Sequence, residues 1–595
     1  MKTSRRRVVA ALGSTALVPF MGADAFAQPA SSADRAFQRL ADRFIDQSMR
    51  LSPTQATATG DHRFDNQMDD CSAAGRAAGL RFAHATLSAL GGIDRNQLSR
   101  ANQVDAALLE NALRSAIWST EVNEQWAWNP LYYNSIAGGA LYSLMAREFA
   151  PLPRRLENAT ARMEKIPQLL AQARSEIQPA RVPAPHAQTY SSQNPGVKSI
   201  INDMILSQKD HLSGAKRTRL EAAAAAANAA LDAHQHWIDT TLVPAAQADF
   251  RVGAQVFDQQ LAFTLVTNLT RQQIRQRAEA AVVTVRQQMY QVSKLALAGH
   301  ADAPAAPDNP TPEQQQAVIR YAIDLAAAER PNRDNLVQVA TGAVEEARAF
   351  VQAHDLITLP PGPVRVILMP EFQRGFAVAY CDSPGPLDRN LETFYAVSPV
   401  PDDWSAEQAT SFLREYNTRG ITDVGVHEAM PGHYVQIYHS NTYPSTLRAV
   451  LGSGSFIEGW AVYAEQMMTE QGFRASDPLY KLTQLKVQLR TITNSIIDQA
   501  IHVDGMTQEQ MMQLLTQTAF QEEREAAGKW RRAQLSFTQL STYFVGFSEH
   551  MECRAAAQAR DGANFNLKAY HDGILAFGSP PMRYGRALYM NDPIV

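Results

Sequence analysis

The chain has few cysteines, little excess charge and no long apolar run in its body, and each scarcity excludes a class of protein. Only three cysteines occur in 595 residues, namely Cys71, Cys381 and Cys553. Their scatter excludes a disulfide scaffold and a C-x-x-C metal site, although spacing leaves one disulfide pair open. No run of about 18 uncharged apolar residues follows the N-terminal segment, so we expect no membrane span. The formal net charge of −4 provides no basic surface for nucleic acid.

The N-terminal segment has the pattern of an export signal. Three arginines, residues 5–7, precede an apolar stretch from Val8 to Met21, and Ala25-Phe26-Ala27 is typical of a signal cleavage site. Consecutive arginines before a modest apolar stretch indicate that residues 1–27 are a Tat signal peptide, with a Sec signal as the alternative. We therefore expect a periplasmic or secreted protein. Removal of this segment takes four basic residues and one acidic residue away, so the net charge becomes −7.

Apolar residues recur at three-to-four spacing through most of the remaining chain, which predicts helices. The predicted helices are 33–50, 73–90, 102–118, 152–178, 215–238, 271–297 and 334–353. Two proline-rich stretches, 179–196 and 299–312, predict loops. Short alternating runs at 364–369, 375–380 and 393–397 predict three strands. The pattern predicts a mainly α fold with a deep cleft bordered by a small β-sheet, divided into an N-terminal helical region, 28–355, and a catalytic region, 356–595.

The segment His427-Glu428-Ala429-Met430-Pro431-Gly432-His433 carries metal-site chemistry. It provides two imidazoles and a carboxylate, and Glu458 lies one helix later in the segment 456–465. Three protein ligands with an open position for water, together with a glutamate that takes the proton of that water, are the parts of a catalytic zinc site. His427, His433 and Glu458 are the predicted ligands of one Zn²⁺, and Glu428 is the predicted base. The alternative is a helix stop flanked by chance histidines.

The six-residue spacing between the histidines needs a break in the helix. Six residues turn a regular helix by about 600°, which places the second ring about 120° from the first. Pro431 cannot donate to the carbonyl of His427, and Gly432 tolerates unusual backbone angles. We expect a bulged turn at Pro431-Gly432 that returns His433 to the face of His427. Glu465, seven residues after Glu458 and on the same face, is predicted to orient a ligand histidine.

These segments resemble the bacterial domain-of-unknown-function family 885. The resemblance is carried by H-E-A-x-P-G-H, by E-G-W-A-x-Y-A-E, and by three further segments, 498–502, 539–546 and 565–578. It is strong over residues 360–595. The family in turn resembles the gluzincin metallopeptidases, whose metal ligands are two histidines and a downstream glutamate. The resemblance implies a zinc peptidase.

The same resemblance implies roles for residues outside the motif. Tyr543, His571 and His502 are candidates to donate hydrogen bonds to an oxyanion, with a buried core role as the alternative for each. Asp498 is expected to pair with His502, four residues away on one helix face. Two further candidates would bind substrate. Arg554 would hold a carboxylate, or else form a surface ion pair, and the strand edge at Tyr395-Ala396 or Ala379-Tyr380 would pair with an extended peptide unless the sheet only braces the cleft.

The function expected from the sequence is hydrolysis of short or unfolded peptides by a zinc-dependent enzyme. Two alternatives remain open at this stage. One is a zinc hydrolase of non-peptide amides or esters, which the same metal site would serve. The other is a non-enzymatic periplasmic binding protein with a relic metal site, against which the presence of Glu428 argues. The partner expected is a peptide substrate, and the sequence does not address the oligomeric state.

Overall fold

The computed structural model describes residues 31–370, 374, 378–388 and 390–594. The predicted signal peptide lies outside the described residues. In the N-terminal region the α-helices are α1 Ser32–Leu51, α2 Pro53–Thr59, α3 Ala73–Gly91, α4 Arg100–Glu121, α5 Gln125–Trp128, α6 Leu131–Met145, α7 Leu152–Met163, α8 Ile166–Glu176, α9 Ala184–Ser199, α10 Gly214–Trp237, α11 Val243–Ala245, α12 Gly253–Leu265, α13 Arg271–Ala296, α14 Pro312–Ala328 and α15 Leu336–Ala353.

The C-terminal region contains three strands followed by helices. The strands are β1 Val364–Leu368, β2 Ala379–Asp382 and β3 Thr393–Val397. The helices are α16 Ala406–Glu415, α17 Thr418–Glu428, α18 His433–Thr442, α19 Thr446–Val450, α20 Gly454–Glu470, α21 Pro478–His502, α22 Gln508–Gln513, α23 Glu523–Leu535, α24 Ser541–Asp561, α25 Leu567–Leu575 and α26 Met582–Met590. Short π-helical turns occur at Ile200–Ile205, Ile238–Leu242 and Leu514–Thr518. The prediction of a mainly helical fold with a small sheet is confirmed.

Two local predictions differ from the structure. Residues 152–178 form two helices, α7 and α8, because Pro167 occupies the first turn of the second helix and a new helix starts there. The proline-rich stretch 179–196, predicted as a loop, is mostly helix α9. Pro185 lies in the first turn of α9. Backbone amides there have no hydrogen-bond partner within the helix, so a proline can occupy this position without loss of a helical hydrogen bond. The stretch 299–312 is a loop, as predicted.

The sheet has the strand order β1-β3-β2. β1 runs parallel to β3 with Val366 opposite Tyr395, and β2 runs antiparallel to β3 with Cys381 opposite Tyr395. All of β3 is buried, as expected for the central strand. β2 is an edge strand, so Ala379-Tyr380 lies at an edge and Tyr395-Ala396 does not. The second predicted strand, 375–380, overlaps β2 at Ala379-Tyr380, and its residues 375–377 lie outside the described residues.

Helices α20 and α24 of the C-terminal region pack with their backbones in contact. A Cβ atom on Gly459 of α20 would lie 2.3 Å from the backbone of Gly546 in α24, and one on Gly546 would lie 1.9 Å from the Ser455 carbonyl oxygen. Only glycine allows such an approach, which lets the two backbones touch. The contact places the polar residues of α20 and the start of α24 beside α17.

The hydrophobic cores cross the predicted boundary at residue 355. Helix α15 contributes Leu336, Val344 and Val351 to a core that extends through α17, α20 and α24 to Met582. Helices α13 and α14 share a second core with α21. The division into two regions stays a prediction, and the last three N-terminal helices pack on the C-terminal ones. Within the described part of the chain, no helix is long and apolar enough to cross a membrane.

Candidate metal centre

Helix α17 presents His427 and Glu428 at its C-terminal end. Asn417 caps the start of the helix, since its Oδ1 accepts hydrogen bonds from the backbone amides of Arg419 at 3.0 Å and Gly420 at 3.1 Å. The helix ends at Glu428, and α18 begins at His433. The predicted bulge within one helix is therefore wrong in form. The four residues 429–432 separate two helices, because Pro431 cannot continue the first one.

The turn between the two helices requires Gly432. A Cβ atom at this position would lie 1.8 Å from the His427 carbonyl oxygen, so no other residue fits without a shift of the backbone. The Gly432 amide donates to the Val426 carbonyl at 2.9 Å. Trp460 of α20 donates from Nε1 to the Pro431 carbonyl at 2.9 Å. These contacts fix His433 beside His427 and attach the turn to the helix that carries Glu458.

The three predicted ligands converge on one point. The rings of His427 and His433 are 4.8 Å apart between centroids and nearly perpendicular, at 88°. Glu458 Oε2 lies 3.4 Å from His433 Nε2 and 3.6 Å from His427 Nε2. Ligands that bind a tetrahedral zinc at about 2.0–2.2 Å are separated from one another by about 3.4 Å. The spacing therefore matches three donors placed around one cation.

The polar atoms of this site lack partners in a way that suits a bound cation. Among the described residues, His433 Nδ1, Glu458 Oε2 and Glu428 Oε2 have no hydrogen-bond partner, although all three atoms are buried. Buried polar groups are normally satisfied, so the orphaned carboxylate oxygens need a ligand. Glu428 lies beside the two histidines, since one of its carboxylate oxygens and one ring nitrogen of each histidine lie within 4.8 Å of one another. Two imidazoles and a carboxylate are a donor set that Zn²⁺ prefers, so His427, His433 and Glu458 fit the predicted metal.

The electrostatics separate the two glutamates at the site. Burial opposes a charge on His427, but the carboxylates of Glu458 and Glu465 outweigh burial and raise the pKa of His427 well above its ordinary value. Burial by itself would raise the pKa of Glu458, but the two histidines outweigh burial and lower this pKa. Burial raises the pKa of Glu428 against the pull of both histidines. Of the two glutamates, Glu428 therefore has the higher proton affinity, which is the property that a base needs.

Glu465 lies behind His427, as the sequence predicts. His427 Nδ1 donates to Glu465 Oε1 at 2.6 Å, and only 1% of the Glu465 side chain is exposed. We expect Glu465→Gln to keep the fold and to weaken zinc binding by about 10–100-fold, because the charge that orients and polarises the ligand imidazole is lost. Competition with a chelator of known affinity measures the change.

Glu470→Gln is the matched control for that experiment. Glu470 belongs to the same helix but pairs with Arg554 at 2.7 Å rather than with a ligand histidine. Zinc affinity should be unchanged in this variant. Equal zinc affinity in Glu465→Gln and wild-type protein would contradict the orienting role.

Tyr543 lies against the metal centre, at the start of α24. Its ring is 6.4 Å from the ring of His427, between centroids, and stacks at 28°. Its hydroxyl accepts hydrogen bonds from Arg532 Nη2 at 2.9 Å and from Gln539 Nε2 at 3.3 Å. Arg532 Nη2 also donates to Gln539 Oε1 at 2.8 Å, which sets the orientation of that amide because arginine only donates. Both acceptor positions of the hydroxyl are occupied, so its own hydrogen remains for a third group.

Sequence reasoning missed Arg532 as a site residue. It lies in α23, eleven residues before Tyr543, and a helix end and a loop separate the two. No helical spacing links them, so the sequence carried no signal for the pair. Gln539 was part of a motif resemblance without an assigned role.

The structure does not bring His571 and His502 to the metal centre. His571 is fully buried and uses both ring nitrogens: Nδ1 donates to the Leu356 carbonyl at 2.8 Å, and Nε2 accepts from Tyr463 at 2.7 Å. Burial lowers the pKa of His571 to about 3. His502 is 2% exposed and donates to the Ala533 carbonyl at 2.7 Å. Both are core residues, because their donors are already used.

The predicted pair of Asp498 with His502 is also wrong. Asp498 accepts from the backbone amides of Thr538 at 2.9 Å and Ser541 at 3.0 Å, and from the Ser541 hydroxyl at 2.7 Å. Its carboxylate therefore holds the start of α24, where unpaired amides attract an anion. This contact fixes the position of Tyr543 indirectly.

Arg554 and Tyr395 likewise serve the fold. Arg554 donates to Glu470 at 2.7 Å and to Tyr463 at 3.4 Å, and it is 8% exposed, so it joins α24 to α20 instead of meeting a substrate. Tyr395 is 1% exposed in the central strand. Burial and the nearby charge of Glu428 raise the pKa of Tyr395 above its ordinary value. A central strand has no free edge, so Tyr395 cannot pair with a peptide backbone.

The fold and the site together define a mainly helical protein with a two-histidine, one-glutamate candidate metal centre and a second glutamate beside it. The chain belongs to the family described as "Bacterial protein of unknown function (DUF885)", whose model matches residues 53–587. This confirms the family expected from the motifs. No curated protein matches the chain.

Two solved structures are similar to this chain over nearly its whole length. One is a candidate lipoprotein of unknown function from Shewanella oneidensis, with 34% identity and a TM-score of 0.77, covering 93% of this chain and 99% of its own. The other is a candidate lipoprotein from Colwellia psychrerythraea, with 18% identity and a TM-score of 0.75, covering the same shares. The second likeness supports the fold alone.

Proposed function

We propose that this protein is an exported zinc-dependent hydrolase that cleaves peptides. The observation that carries the proposal is the convergence of His427, His433 and Glu458 at zinc-like separations, with Glu428 beside them and its Oε2 unpartnered. A structural zinc site needs no base, and its coordination is closed by four protein ligands. Three ligands and an adjacent glutamate are the parts of a hydrolytic centre.

The residues of the site divide the chemistry among them. His427, His433 and Glu458 would hold the zinc, which would supply a Lewis acid for a carbonyl group and for activation of a water. Glu428 accepts the proton of the attacking water and transfers it to the leaving amine, so no proton is lost to solvent between the two steps. The Tyr543 hydroxyl donates its hydrogen to the developing oxyanion, since Arg532 and Gln539 occupy its acceptor positions.

The position of strand β2 favours peptides over other amides. β2 is an edge strand, and its backbone at Cys381 contacts the Glu428 carboxylate. An extended peptide can add to such an edge through its main chain, which would place a peptide bond beside the base. The arginine-rich N-terminal segment and the lipoprotein descriptions of the two solved relatives support export to the cell envelope.

Metal analysis combined with a peptide digest tests the proposal. Protein purified without chelator should contain about one zinc per chain, and it should release new masses from a mixture of short peptides. His433→Ala should lose both the zinc and the activity. A parallel screen of acylated amines and esters identifies the substrate class.

Three results would contradict parts of this proposal. Full zinc occupancy in His433→Ala would show that the ligand set is wrong. Cleavage of esters or acylated amines without cleavage of any peptide would replace the peptidase with a hydrolase of smaller substrates. Zinc-replete protein that cleaves nothing in either screen would contradict the enzymatic function.

Tyr543→Phe tests transition-state stabilisation. The change removes one hydroxyl, so we expect fold and zinc content to survive. We expect kcat to fall by about 10²–10³, the usual cost of one lost oxyanion donor. KM should change little, because a donor used only in the transition state does not hold the substrate. Steady-state kinetics on a peptide found in the digest measures both constants.

Tyr321→Phe serves as the control for loss of a hydroxyl. Tyr321 lies on α14, where its hydroxyl donates to Asp302 of the preceding loop, and it contacts none of the predicted ligands. Its kinetics should match the wild type. A rise in KM with kcat intact in Tyr543→Phe would assign Tyr543 to substrate binding instead.

A further inference from the structure

A group of three cations lies beside the metal centre, and we call it the cation cluster: Arg490, Lys529 and Arg532. Lys529 and Arg532 lie one turn apart on α23, and Glu525 lies on the same face one turn earlier. Arg490 approaches this face from α21, where its Nη1 donates to the Tyr416 hydroxyl at 3.1 Å. The cation cluster therefore has one carboxylate, Glu525, at its far end.

The cation cluster begins at the metal centre and leads away from it. Arg532 bonds to the Tyr543 hydroxyl at 2.9 Å, and the Tyr543 ring stacks near His427. A helix rises by about 1.5 Å per residue, so Lys529 lies about 4.5 Å further along α23 and Glu525 about 10 Å further. An extended peptide advances by about 3.3 Å per residue. The length of the cluster thus corresponds to about one to three residues of a bound peptide.

Within 4.0 Å, the described residues offer the cation cluster one carboxylate. Glu525 lies 3.7 Å from Arg490 and 3.5 Å from Lys529, whereas Arg532 donates to two neutral groups, Gln539 and Tyr543. Three other carboxylates attract the cluster from further away: Glu458 acts on Arg532, and Glu415 and Glu465 act on Arg490. Each of these three already faces a lysine or a histidine of its own.

Buried cations of this protein are satisfied in two ways. Arg162 donates to backbone carbonyls and to the Thr57 hydroxyl, whereas Arg448 bonds to Asp105 at 2.6 Å and Lys486 bonds to Glu415 at 2.7 Å. Buried charges are costly unless they are paired or hydrogen-bonded. In the cation cluster, Arg490 and Lys529 share a single carboxylate, Glu525, beside the candidate metal centre.

The cation cluster is unevenly buried. Lys529 is 6% exposed, whereas the Arg490 side chain retains 19%. Burial, with repulsion from Arg532 and Arg490, lowers the pKa of Lys529 to about 7 in spite of the attraction of Glu525. An added anion would relieve this repulsion. Glu525 itself is held by the Tyr416 hydroxyl at 2.8 Å, so it is not free to move towards Arg532.

We propose that the cation cluster binds the free C-terminal carboxylate of a peptide, so that the enzyme removes residues from C-terminal ends. A carboxylate accepts two parallel hydrogen bonds from a guanidinium, and two arginines and a lysine match that chemistry. The proposal rests on the proposed zinc peptidase function and specifies its substrate class. It adds no new chemical step, because the hydrolysed bond is the one that precedes the anchored residues.

Equilibrium binding to zinc-loaded Glu428→Gln protein tests the anchor without turnover. Three peptides of one sequence are compared: a free acid, its C-terminal amide, and an amide with glutamate as its last residue. The free acid should bind about 10–100-fold more tightly than the simple amide, the range expected for charge-assisted hydrogen bonds. The glutamate-containing amide should bind like the simple amide. Its binding as tightly as the free acid would overturn the preference for the chain terminus in favour of an acidic side chain.

Variants in the Glu428→Gln background locate the anchor. Lys529→Gln should remove most of the difference between acid and amide, whereas Lys529→Arg should keep it because the charge remains. Arg531→Gln is the matched control, since Arg531 is adjacent on the same helix but bonds to the Pro185 carbonyl and Gln188. Melting temperatures identify any variant that fails to fold, and Lys529→Arg then carries the comparison with Arg531→Gln. An unchanged acid–amide difference in folded Lys529→Gln would overturn the proposal.

Hydrolysis by the wild-type protein separates failure of the anchor from failure of the function. If acid and amide are cleaved with equal kcat/KM and bind equally, the anchor is absent and the peptidase remains. If zinc-loaded wild-type protein cleaves neither peptide, the peptidase function is contradicted, and the binding comparison still decides whether the cation cluster takes a carboxylate.

Discussion

Glu428→Gln is expected to keep zinc in place and to lower turnover by about 10²–10⁴, the usual range for loss of a general base. Glutamine has the shape and hydrogen-bonding capacity of glutamate but does not take a proton at neutral pH. Glu428 is 7% exposed, its Oε2 has no partner in the described structure, and burial raises its pKa. These properties belong to a carboxylate that is placed for proton transfer. Kinetics and elemental analysis on the same preparation measure the effect.

Zinc content decides how a slow Glu428→Gln enzyme is interpreted. Glu458→Gln provides the comparison, because it replaces a ligand and should lose zinc and activity together. Near-wild-type turnover of zinc-replete Glu428→Gln would contradict the assignment of the base. Loss of zinc from Glu428→Gln would instead make Glu428 a ligand.

Gly432→Ala is expected to reduce zinc affinity steeply although it touches no ligand. The added Cβ would lie 1.8 Å from the His427 carbonyl oxygen and 2.4 Å from that of Val426, so the turn between α17 and α18 must move. Backbone, unlike the end of a flexible side chain, cannot yield without moving His427 or His433. A displacement of about 1 Å spoils a centre whose ligands must lie within about 0.2 Å of their ideal distances. Chelator competition and circular dichroism measure affinity and fold.

Gly342→Ala is the matched control for this substitution. Gly342 lies within α15, and a Cβ there would meet no atom within 4 Å. This variant should bind zinc as the wild type does and gain a little stability, because alanine has the better helix propensity. Unchanged zinc affinity in Gly432→Ala would show that the flanking helices, not the turn, set the geometry.

The site could be predicted from the sequence to the extent that its chemistry lies in short segments. His427, Glu428 and His433 come from one seven-residue stretch, and Glu458 follows in the next apolar helix. Residue types with metal chemistry at such spacing have few other uses. The form of the turn was not predictable, because helical periodicity shows that a regular helix fails without showing whether it bulges or ends.

The errors concern residue types that serve both sites and cores. His571, His502 and Arg554 have the donors that a transition state needs, and the same donors satisfy Leu356, Ala533 and Glu470 in the core. Nothing in their own segments distinguishes the two uses. Whether such a side chain serves the site or the core depends on which carbonyl or carboxylate lies next to it after the helices have packed. That hydrogen-bond partner is between 31 and 215 residues away along the chain.

The sequence by itself determined the helical class and the small sheet, and it supplied the predicted ligand set, because periodicity and motif spacing are local properties. Only the tertiary structure decided what faces the ligands. The contact of Gly459 with Gly546 brings α24 onto α20, and Tyr543 thereby lies against His427. The packing of α23 beside α21 then brings Arg490 to Lys529 and Arg532, which helical spacing links only to each other. These residues become neighbours only through packing of segments that are distant in sequence. Charge interactions and hydrogen bonds depend on distance in space and not on separation along the chain.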